Sequence, residues 1–292
     1  MYTKLLKKDY TYLFYLLPSI FVLILITILP TLYLFITSFT PLDLARPGTD
    51  KIVGFLNYEE LYYDDRFWNS LIVQLKITVY SVFFQVCIGF LIALLINTGL
   101  PYLDFIRTVF LIPMVLPPVV VAIIWKIIFT PNVSSFYRIM EYINLPQDPW
   151  LSDPIMALWA IIIADIWEWF PFTMLMFLAA LQMIPDEPLE ASKIDGANYI
   201  QTLYYIIIPS MKSIIIVATL FRVIDSIKAF PLIYIMTSGG PGVVTEATNY
   251  YAYLQGLTYS YIGYSSAISM VLLFITLCLS LFIVKYINQD NH

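Results

Sequence analysis

Long apolar segments are the feature that most restricts how this chain can fold. A helix needs about 20 predominantly apolar residues to cross the hydrocarbon core of a bilayer, and soluble domains seldom contain several such stretches. Stretches that meet this requirement recur along the whole chain. They run over Tyr12–Ser38, Asn69–Ile96, Thr108–Phe129, Pro154–Leu181, Ser210–Thr237 and Gly263–Tyr286. The sequence therefore predicts an all-α integral membrane protein with about six transmembrane helices.

The composition agrees with this fold and argues against several classes of function. Of the 292 residues, 60% are hydrophobic and 12% are charged, whereas an ordinary soluble domain has roughly 25% charged residues. A net charge of −5 without a basic cluster argues against a nucleic-acid partner. His292 is the single histidine, which excludes His-based metal sites and His-dependent catalytic triads.

Motifs that would make the chain an enzyme are absent from its sequence. None of the ten glycines is followed by lysine, so the chain has no P-loop of the kind that cradles nucleotide phosphates. The pattern Gly-x-Ser-x-Gly is also missing. The sequence therefore predicts a non-catalytic protein that holds no cofactor of its own.

Charged residues beside the spans predict that both termini are cytoplasmic, because cytoplasmic flanks are enriched in lysine and arginine. Basic residues on the predicted cytoplasmic side are Lys4, Lys7, Lys8, Arg107, Lys193, Lys212 and Lys285. Loops on the opposite side carry Asp43, Asp50, Glu59, Glu60, Asp64, Asp65, Glu141, Asp148 and Asp153. We expect one transmembrane domain over residues 1–292, with a cytoplasmic loop at 182–209 and an extracytoplasmic loop at 238–262.

The connection between the fourth and fifth spans is expected to form a short helix, a sharp turn and a second helix. Asp186 or Glu187 is positioned to cap the first helix. Gly196 allows the backbone angles of a tight reversal, and Asn198 is suited to start the next helix. We expect Pro209 to end that helix before the fifth span begins. By shape alone this element is either a docking site for a partner or a plain connector.

The spacing of residues in this connection resembles the EAA motif of permease subunits of prokaryotic ABC importers, E-A-A-x3-G-x9-I-x-L-P. The residues in register are Glu190, Ala191, Gly196, Ile206 and Pro209. Ser192 replaces the second alanine of the motif, and Ile208 replaces the leucine. The resemblance implies that the loop is a coupling helix seated in a cleft of a separate ATP-binding subunit. The residues implied in that contact are Glu190, Ala191, Ser192, Asp195, Gly196, Ala197 and Pro209.

Other stretches are similar to the carbohydrate-uptake branch of that family, in particular to its larger maltose, glycerol-phosphate and lactose permease type. They include Met236-Thr237-x-Gly239-Gly240-Pro241 and Gly263-Tyr264-Ser265-Ser266-Ala267. The resemblance implies a type I ABC importer permease fold in a prokaryotic plasma membrane and a sugar or sugar-like solute. It also implies a second homologous permease, two ATP-binding subunits that hold ATP and magnesium, and an extracytoplasmic solute-binding protein. One departure is Phe230-Pro231, where the branch often has Phe-Asp.

Charged side chains inside the spans are candidates for the solute pathway, because such groups usually face a cavity or a partner. The candidates are Asp165, Trp167 and Glu168 in the fourth span and Arg222 and Asp225 in the fifth. Carboxylates and arginine bind hydroxyl groups, and an aromatic face packs against a sugar ring. The alternative is that Asp165 or Glu168 pairs with Arg222 and only locks the helices together.

Two other functions remain open on the sequence. A self-sufficient secondary transporter would use Asp165 or Glu168 as an ion site, and it usually shows inverted repeats. No internal repeat stands out in this chain. The second alternative is an ABC permease for a solute that is not a sugar.

Overall fold

The computed structural model of the chain describes residues 11–46, 48–98, 103–131, 133–144 and 148–290. These residues are mostly helical. They form two compact units. The first unit consists of the described residues up to Tyr63 together with Ala252–Val271, and the second consists of Asp64–Tyr251 together with the described residues from Leu272 onwards. Lys4, Lys7 and Lys8, used above to predict orientation, lie outside the described residues.

The helices follow one another with short connections. In chain order they are α1 (Thr11–Leu23), α2 (Leu29–Thr37), α3 (Leu56–Tyr63), α4 (Asp65–Ile96), α5 (Leu103–Val115), α6 (Pro118–Ile128), α7 (Ser135–Tyr142), α8 (Pro154–Gln182), α9 (Asp186–Ile194), α10 (Tyr199–Thr202), α11 (Ile208–Ser226), α12 (Phe230–Met236), α13 (Thr248–Tyr253) and α14 (Ile262–Asp290). Segments of π-helix lie at Ile24–Ile28, Leu203–Ile207 and Leu254–Thr258. The first joins α1 to α2, and the second joins α10 to α11.

The described residues confirm the prediction of about six membrane spans. Five helical stretches are long and apolar enough to cross a bilayer, namely Tyr15–Thr37, Asp65–Ile96, Pro154–Gln182, Tyr199–Ser226 and Ile262–Phe282. The pair Phe105–Val115 and Pro118–Ile128, which is bent by 98°, makes a sixth when it is counted as one broken span. The bend falls at the consecutive prolines Pro117 and Pro118, because a residue that precedes proline is disfavoured in helical geometry.

The fifth span differs from its predicted boundaries of Ser210–Thr237. It begins at Tyr199 and runs through Pro209 to Ser226, so the prediction that Pro209 ends a separate helix is wrong. The π-helical turn explains the difference, since the Ile208 N–H donates to the Leu203 carbonyl one residue further back than in an α-helix. Pro209 then lies in the first turn of α11, where a missing N–H costs little.

The first unit is held together by polar contacts to backbone carbonyls. The Asn57 amide donates to the Ser38 oxygen at 2.8 Å and to the Thr40 oxygen at 2.7 Å. The Gly263 N–H donates to the Leu42 oxygen at 2.9 Å. A Cβ atom at position 263 would overlap the Thr40 carbonyl oxygen. Glycine is therefore required at this position by the close approach of the two backbones.

The second unit is built on α4 and α8, which pack against each other, with α11 against both. Gly89 lies at the α4–α8 contact, where a Cβ atom would overlap Thr173 and approach the Met174 nitrogen. The Thr173 hydroxyl donates to the Gln85 carbonyl oxygen at 2.7 Å. Small residues allow helix backbones to approach closely in a membrane, where packing rather than water drives association.

We expect Gly89→Val to lower the stability of the second unit by about 1–3 kcal/mol, because the added side chain forces α4 and α8 apart. The readout is the thermal unfolding midpoint of the purified protein in mild detergent. Leu91→Val is the matched control, since Leu91 is exposed on the same helix and accepts the same residue. Equal midpoints for the two variants would contradict the packing role of Gly89.

Candidate functional site

The connection between α8 and α11 folds as a hairpin of α9 and α10, which we call the coupling hairpin (residues 182–209). The first helix begins directly after Pro185, which makes no side-chain capping bond. The prediction that Asp186 or Glu187 caps this helix is therefore wrong, because both lie inside its first turn. Their charges still favour the helix, since the N-terminal end of the helix dipole is positive.

The turn of the coupling hairpin has the geometry that the sequence predicted. Gly196 has φ +77°, in the left-handed region that favours glycine. The Ala197 N–H donates to the Ser192 oxygen at 2.9 Å. Asn198 starts α10 with a capping box, in which its side chain accepts from the Gln201 N–H at 2.9 Å and the Gln201 side chain accepts in return at 2.8 Å.

Ser192, the residue that departs from the EAA pattern, connects the two arms of the coupling hairpin. Its side chain is buried, and its hydroxyl donates to the Leu189 oxygen at 2.8 Å. The same oxygen lies 3.3 Å from the Thr202 hydroxyl on α10. Alanine has no atom that makes these bonds, so the substitution adds a polar tie across the hairpin.

The tip of the coupling hairpin exposes apolar side chains. Ile194 is 86% exposed and Ile200 is 75% exposed, and Tyr199 between them is also exposed. Of the predicted coupling residues, Glu190, Ala191, Asp195, Gly196 and Pro209 are exposed, Ala197 is half-buried and Ser192 is buried. Exposed apolar groups that lie next to one another are typical of surfaces that bind another protein.

The base of the coupling hairpin is packed against other parts of the second unit, to which it belongs. Leu189, Leu203 and Ile207 contact a buried apolar cluster that includes Phe177 and Leu178 of α8. The hairpin therefore has a fixed base and a free apolar tip. The hairpin follows α8 in the chain and is continuous with α11 through the stretch Tyr199–Ser226.

A buried charge cluster lies farther along those two helices. Arg222 of α11 is 2% exposed, and its Nη1 donates to Asp225 at 2.8 Å. Its Nη2 lies 3.9 Å from Oδ1 of Asp165 on α8. The indole ring of Trp169 lies 4.6 Å below the guanidinium carbon, a cation–π contact. Asp225 is 42% exposed, so the cluster opens to its surroundings on that side.

Gln85 of α4 completes this cluster, and it was not among the predicted residues. Its side-chain nitrogen donates to the carbonyl oxygen of Asp165 at 2.8 Å and to its Oδ2 at 2.9 Å. Its side-chain oxygen accepts from the Arg222 Nε at 2.9 Å. A single amide thus joins three helices.

The spacing of polar residues on α4 is the feature that would have indicated Gln85. Buried polar side chains recur every three or four residues along one face of this otherwise apolar helix. They are Ser70, Gln74, Thr78, Ser81 and Gln85. This period of a helix face predicts a polar stripe turned toward other helices, since such groups avoid lipid.

The other predicted pathway residues lie in two places. Glu168 is buried one turn beyond Asp165 on α8. Trp167 lies outside the charge cluster and packs edge-on against Trp125, with ring centroids 5.8 Å apart. The tryptophan that contacts Arg222 is Trp169, two residues after Trp167.

A second ion pair ties the start of α4 to the loop before α13. Glu246 is buried and accepts two bonds from Arg66, at 2.8 and 2.7 Å. The Tyr251 hydroxyl donates to Asp64 at 2.5 Å. Bidentate pairs of this kind fix geometry as well as adding energy. The sequence did not predict this pair, because its two residues lie 180 positions apart.

A groove of about 780 Å³ runs between α4, α11 and the part of α14 that belongs to the second unit. Its walls are mainly apolar, with side chains such as Leu75, Val79, Val223 and Ile275. A hydroxyl-rich solute needs several polar partners. The charge cluster is therefore the better candidate for a solute site.

Comparison with known proteins gives consistent matches over most of the chain. Residues 85–290 match the family described as "Binding-protein-dependent transport system inner membrane component". The trehalose/maltose transport system permease protein MalF of Thermococcus litoralis is 32% identical over 269 residues, which cover 92% of this chain and 90% of that protein. The sulfoquinovosyl glycerol transport system permease protein SmoG of Agrobacterium fabrum is 30% identical over 274 residues, with 94% and 89% covered.

Solved structures contain the same fold. The crystal structure of a bacterial alginate ABC transporter, in complex with an alginate pentasaccharide-bound periplasmic protein, has a chain that superposes with a TM-score of 0.83. The two chains are 21% identical, and the match covers 95% of this chain and 93% of that one. The predicted fold of a type I ABC importer permease is therefore confirmed.

We expect Arg222→Met to destabilise the second unit by about 3–5 kcal/mol, because it leaves buried carboxyl groups without their cation. The thermal unfolding midpoint of the purified protein measures this loss. Adding Asp165→Asn to the same chain removes one of those carboxyl groups and recovers part of the midpoint. An unchanged midpoint for Arg222→Met would show that the buried pair does not stabilise the fold.

Proposed function

This chain belongs to the family of binding-protein-dependent transport system inner membrane components, and from that membership we propose that it imports a sugar or sugar-like solute. In this proposal it forms half of the translocation pathway, and a second homologous permease forms the other half. An extracytoplasmic solute-binding protein delivers the solute. Two copies of a separate ATP-binding subunit, which hold ATP and magnesium, drive the cycle.

The exposed tip of the coupling hairpin is the observation that carries this proposal. Ile194 and Ile200 are exposed apolar side chains on a hairpin whose base is packed and whose turn is fixed by Gly196 and Asn198. A rigid element with an apolar tip is suited to a cleft in another protein. The hairpin also carries the EAA spacing. We assign its partner as the ATP-binding subunit.

The helices on either side of the coupling hairpin connect it to the charge cluster. Asp165 lies on α8, which leads directly into the hairpin, and Arg222 lies on the continuous stretch Tyr199–Ser226 that leaves it. At 1.5 Å per residue, roughly 35 Å of helix separates Tyr199 from Arg222. Movement of the hairpin when the ATP-binding subunits close thus displaces both helices and changes access to the cluster.

The chemistry of the charge cluster supports a hydroxyl-rich solute. Asp165 and Asp225 offer acceptor oxygens, as does Glu168 one turn beyond Asp165. Arg222 offers donors, and the ring of Trp169 offers an apolar face. The relatives named for trehalose and maltose and for sulfoquinovosyl glycerol point to the same class of solute. No comparison favours a secondary transporter.

The proposed orientation places the coupling hairpin and both termini in the cytoplasm of a prokaryotic cell, with the chain in the plasma membrane. Lys193 lies in the hairpin and Lys212 lies just after it in α11, whereas residues 238–262 are assigned to the extracytoplasmic side. The Arg66–Glu246 pair would then brace the outer ends of the helices.

Replacing the apolar tip with a charge is expected to uncouple the transporter. We expect Ile194→Asp to reduce ATP-dependent uptake about tenfold or more, because truncating or charging a buried interface anchor removes much of the binding energy. Co-purification of the ATP-binding subunit should fall in parallel. Leu44→Asp is the matched control, since Leu44 is exposed in the first unit, outside the coupling hairpin. If the Ile194→Asp variant shows normal uptake and normal co-purification of the ATP-binding subunit, the docking role is wrong.

Neutralising the cluster is expected to weaken solute recognition by the permease. A thermal-shift screen of the co-purified binding protein against trehalose, maltose and sulfoquinovosyl glycerol identifies the sugar to use. We expect Asp165→Asn to raise the half-saturating concentration of that sugar about tenfold, since a hydrogen bond to a charged group is lost. The affinity of the isolated binding protein for the same sugar is the internal control, because the substitution lies in the permease and should not change it. An unchanged uptake curve would assign Asp165 to helix packing alone.

A further inference from the structure

Gln85 uses every hydrogen-bonding group of its side chain within the charge cluster. Both donor contacts of its amide nitrogen go to Asp165, at 2.8 and 2.9 Å, and its oxygen accepts from Arg222 at 2.9 Å. Its backbone oxygen accepts from the Thr173 hydroxyl at 2.7 Å. The residue is fully buried. An amide held on both ends in this way keeps its two partners at a fixed separation.

That separation leaves part of Arg222 without a partner. Its Nη2 is buried and makes no hydrogen bond to any described residue. The nearest carboxylate oxygen, Oδ1 of Asp165, lies 3.9 Å away, which is too far for a hydrogen bond. Asp225 and Trp169 hold the guanidinium group from other directions. A buried donor left in this state needs an explanation.

We propose that Gln85 is a positioning residue that keeps Asp165 and Arg222 apart, so that both remain available to the solute. Arginine and carboxylate side chains prefer a bidentate ion pair with short parallel bonds. Gln85 occupies the Arg222 Nε and the Asp165 Oδ2 that such a pair would use. The remaining atoms, Nη2 and Oδ1, then lie 3.9 Å apart, too far for a hydrogen bond to each other.

The separation of Nη2 and Oδ1 matches the hydrogen-bonding pattern of a hydroxyl group. A hydroxyl oxygen about 2.8 Å from both atoms fits a separation of 3.9 Å, accepting from Nη2 and donating to Oδ1. This step rests on the proposed solute role of the charge cluster. Without Gln85, we expect Asp165 and Arg222 to close onto each other and satisfy their bonds internally.

The test compares Gln85→Met with Gln74→Met in the assembled transporter. Methionine has a similar length to glutamine and lacks its hydrogen-bonding groups. Gln74 lies on the same face of α4, about three turns away. Its side-chain nitrogen donates to the Ser226 carbonyl oxygen at 3.3 Å. It therefore receives the same substitution without touching the Asp165–Arg222 pair.

A structure of the Gln85→Met transporter gives a readout that needs no solute. We expect the distance from Asp165 Oδ1 to Arg222 Nη2 to shorten from 3.9 Å to about 2.8 Å in this variant and to stay unchanged in Gln74→Met. A distance that remains near its present value in Gln85→Met overturns the spacer role.

Uptake of the sugar chosen by the thermal-shift screen gives the second readout. We expect Gln85→Met to raise its half-saturating concentration about tenfold and to change the maximal rate less than about twofold. In an Asp165→Asn background the same substitution should shift half-saturation less than about twofold, because the two changes act on one pair. If Gln85→Met shifts half-saturation equally in the native and the Asp165→Asn backgrounds, the spacer role is contradicted.

The two proposals fail in different ways. If Asp165→Asn leaves the uptake curve unchanged, the solute role of the charge cluster is wrong, whatever distance the structure shows. If Asp165→Asn shifts the curve but Gln85→Met leaves both the distance and the curve unchanged, only the spacer role is wrong.

Discussion

A guanidinium group buried among membrane helices must find its partners inside the protein, because hydrocarbon offers none. Arg222 finds them on three helices: Gln85 on α4, Asp225 on its own helix α11, and Asp165 and Trp169 on α8. Each helix supplies a different kind of contact, namely an amide, a carboxylate or an aromatic face. Sliding or rotating any one of them breaks bonds that have no substitute in lipid. The relative positions of the three helices therefore depend on this cluster.

The coupling hairpin is joined to that cluster by the chain itself. One arm continues from α8, and the other continues without interruption into α11, because the π-helical turn at Leu203–Ile207 lets the helix pass Pro209. Packing of Leu189 and Leu203 against the core keeps the base of the hairpin fixed to these helices. The bent pair α5 and α6 packs against α8, and the break between its two helices falls at Pro117. The stretch Tyr199–Ser226 is thus helical from the hairpin to the buried Arg222.

Local spacing predicted the coupling hairpin well where backbone geometry decides the outcome. Gly196 adopts the left-handed conformation expected of it, and Asn198 caps α10. Two expectations about the same stretch were wrong. Asp186 and Glu187 lie inside α9 rather than capping it, because Pro185 already sets the chain direction at its start. Pro209 does not stop a helix. The π-helical turn at Leu203–Ile207 contains one residue more than an α-helical turn, and the helix continues past Pro209 although proline has no N–H to donate.

The sequence by itself determined that the chain has about six spans, that a hairpin joins two of them, and to which family it belongs. These properties depend on apolar length and on short-range spacing, which a linear pattern records directly. Only the tertiary structure decided that Gln85 stands between Asp165 and Arg222, that Trp169 rather than Trp167 contacts the arginine, and that Glu246 pairs with Arg66. Each of these contacts depends on how helices far apart in sequence are rotated and shifted against one another. That rotation is set by the packing of many side chains at once, so no single stretch of sequence contains it.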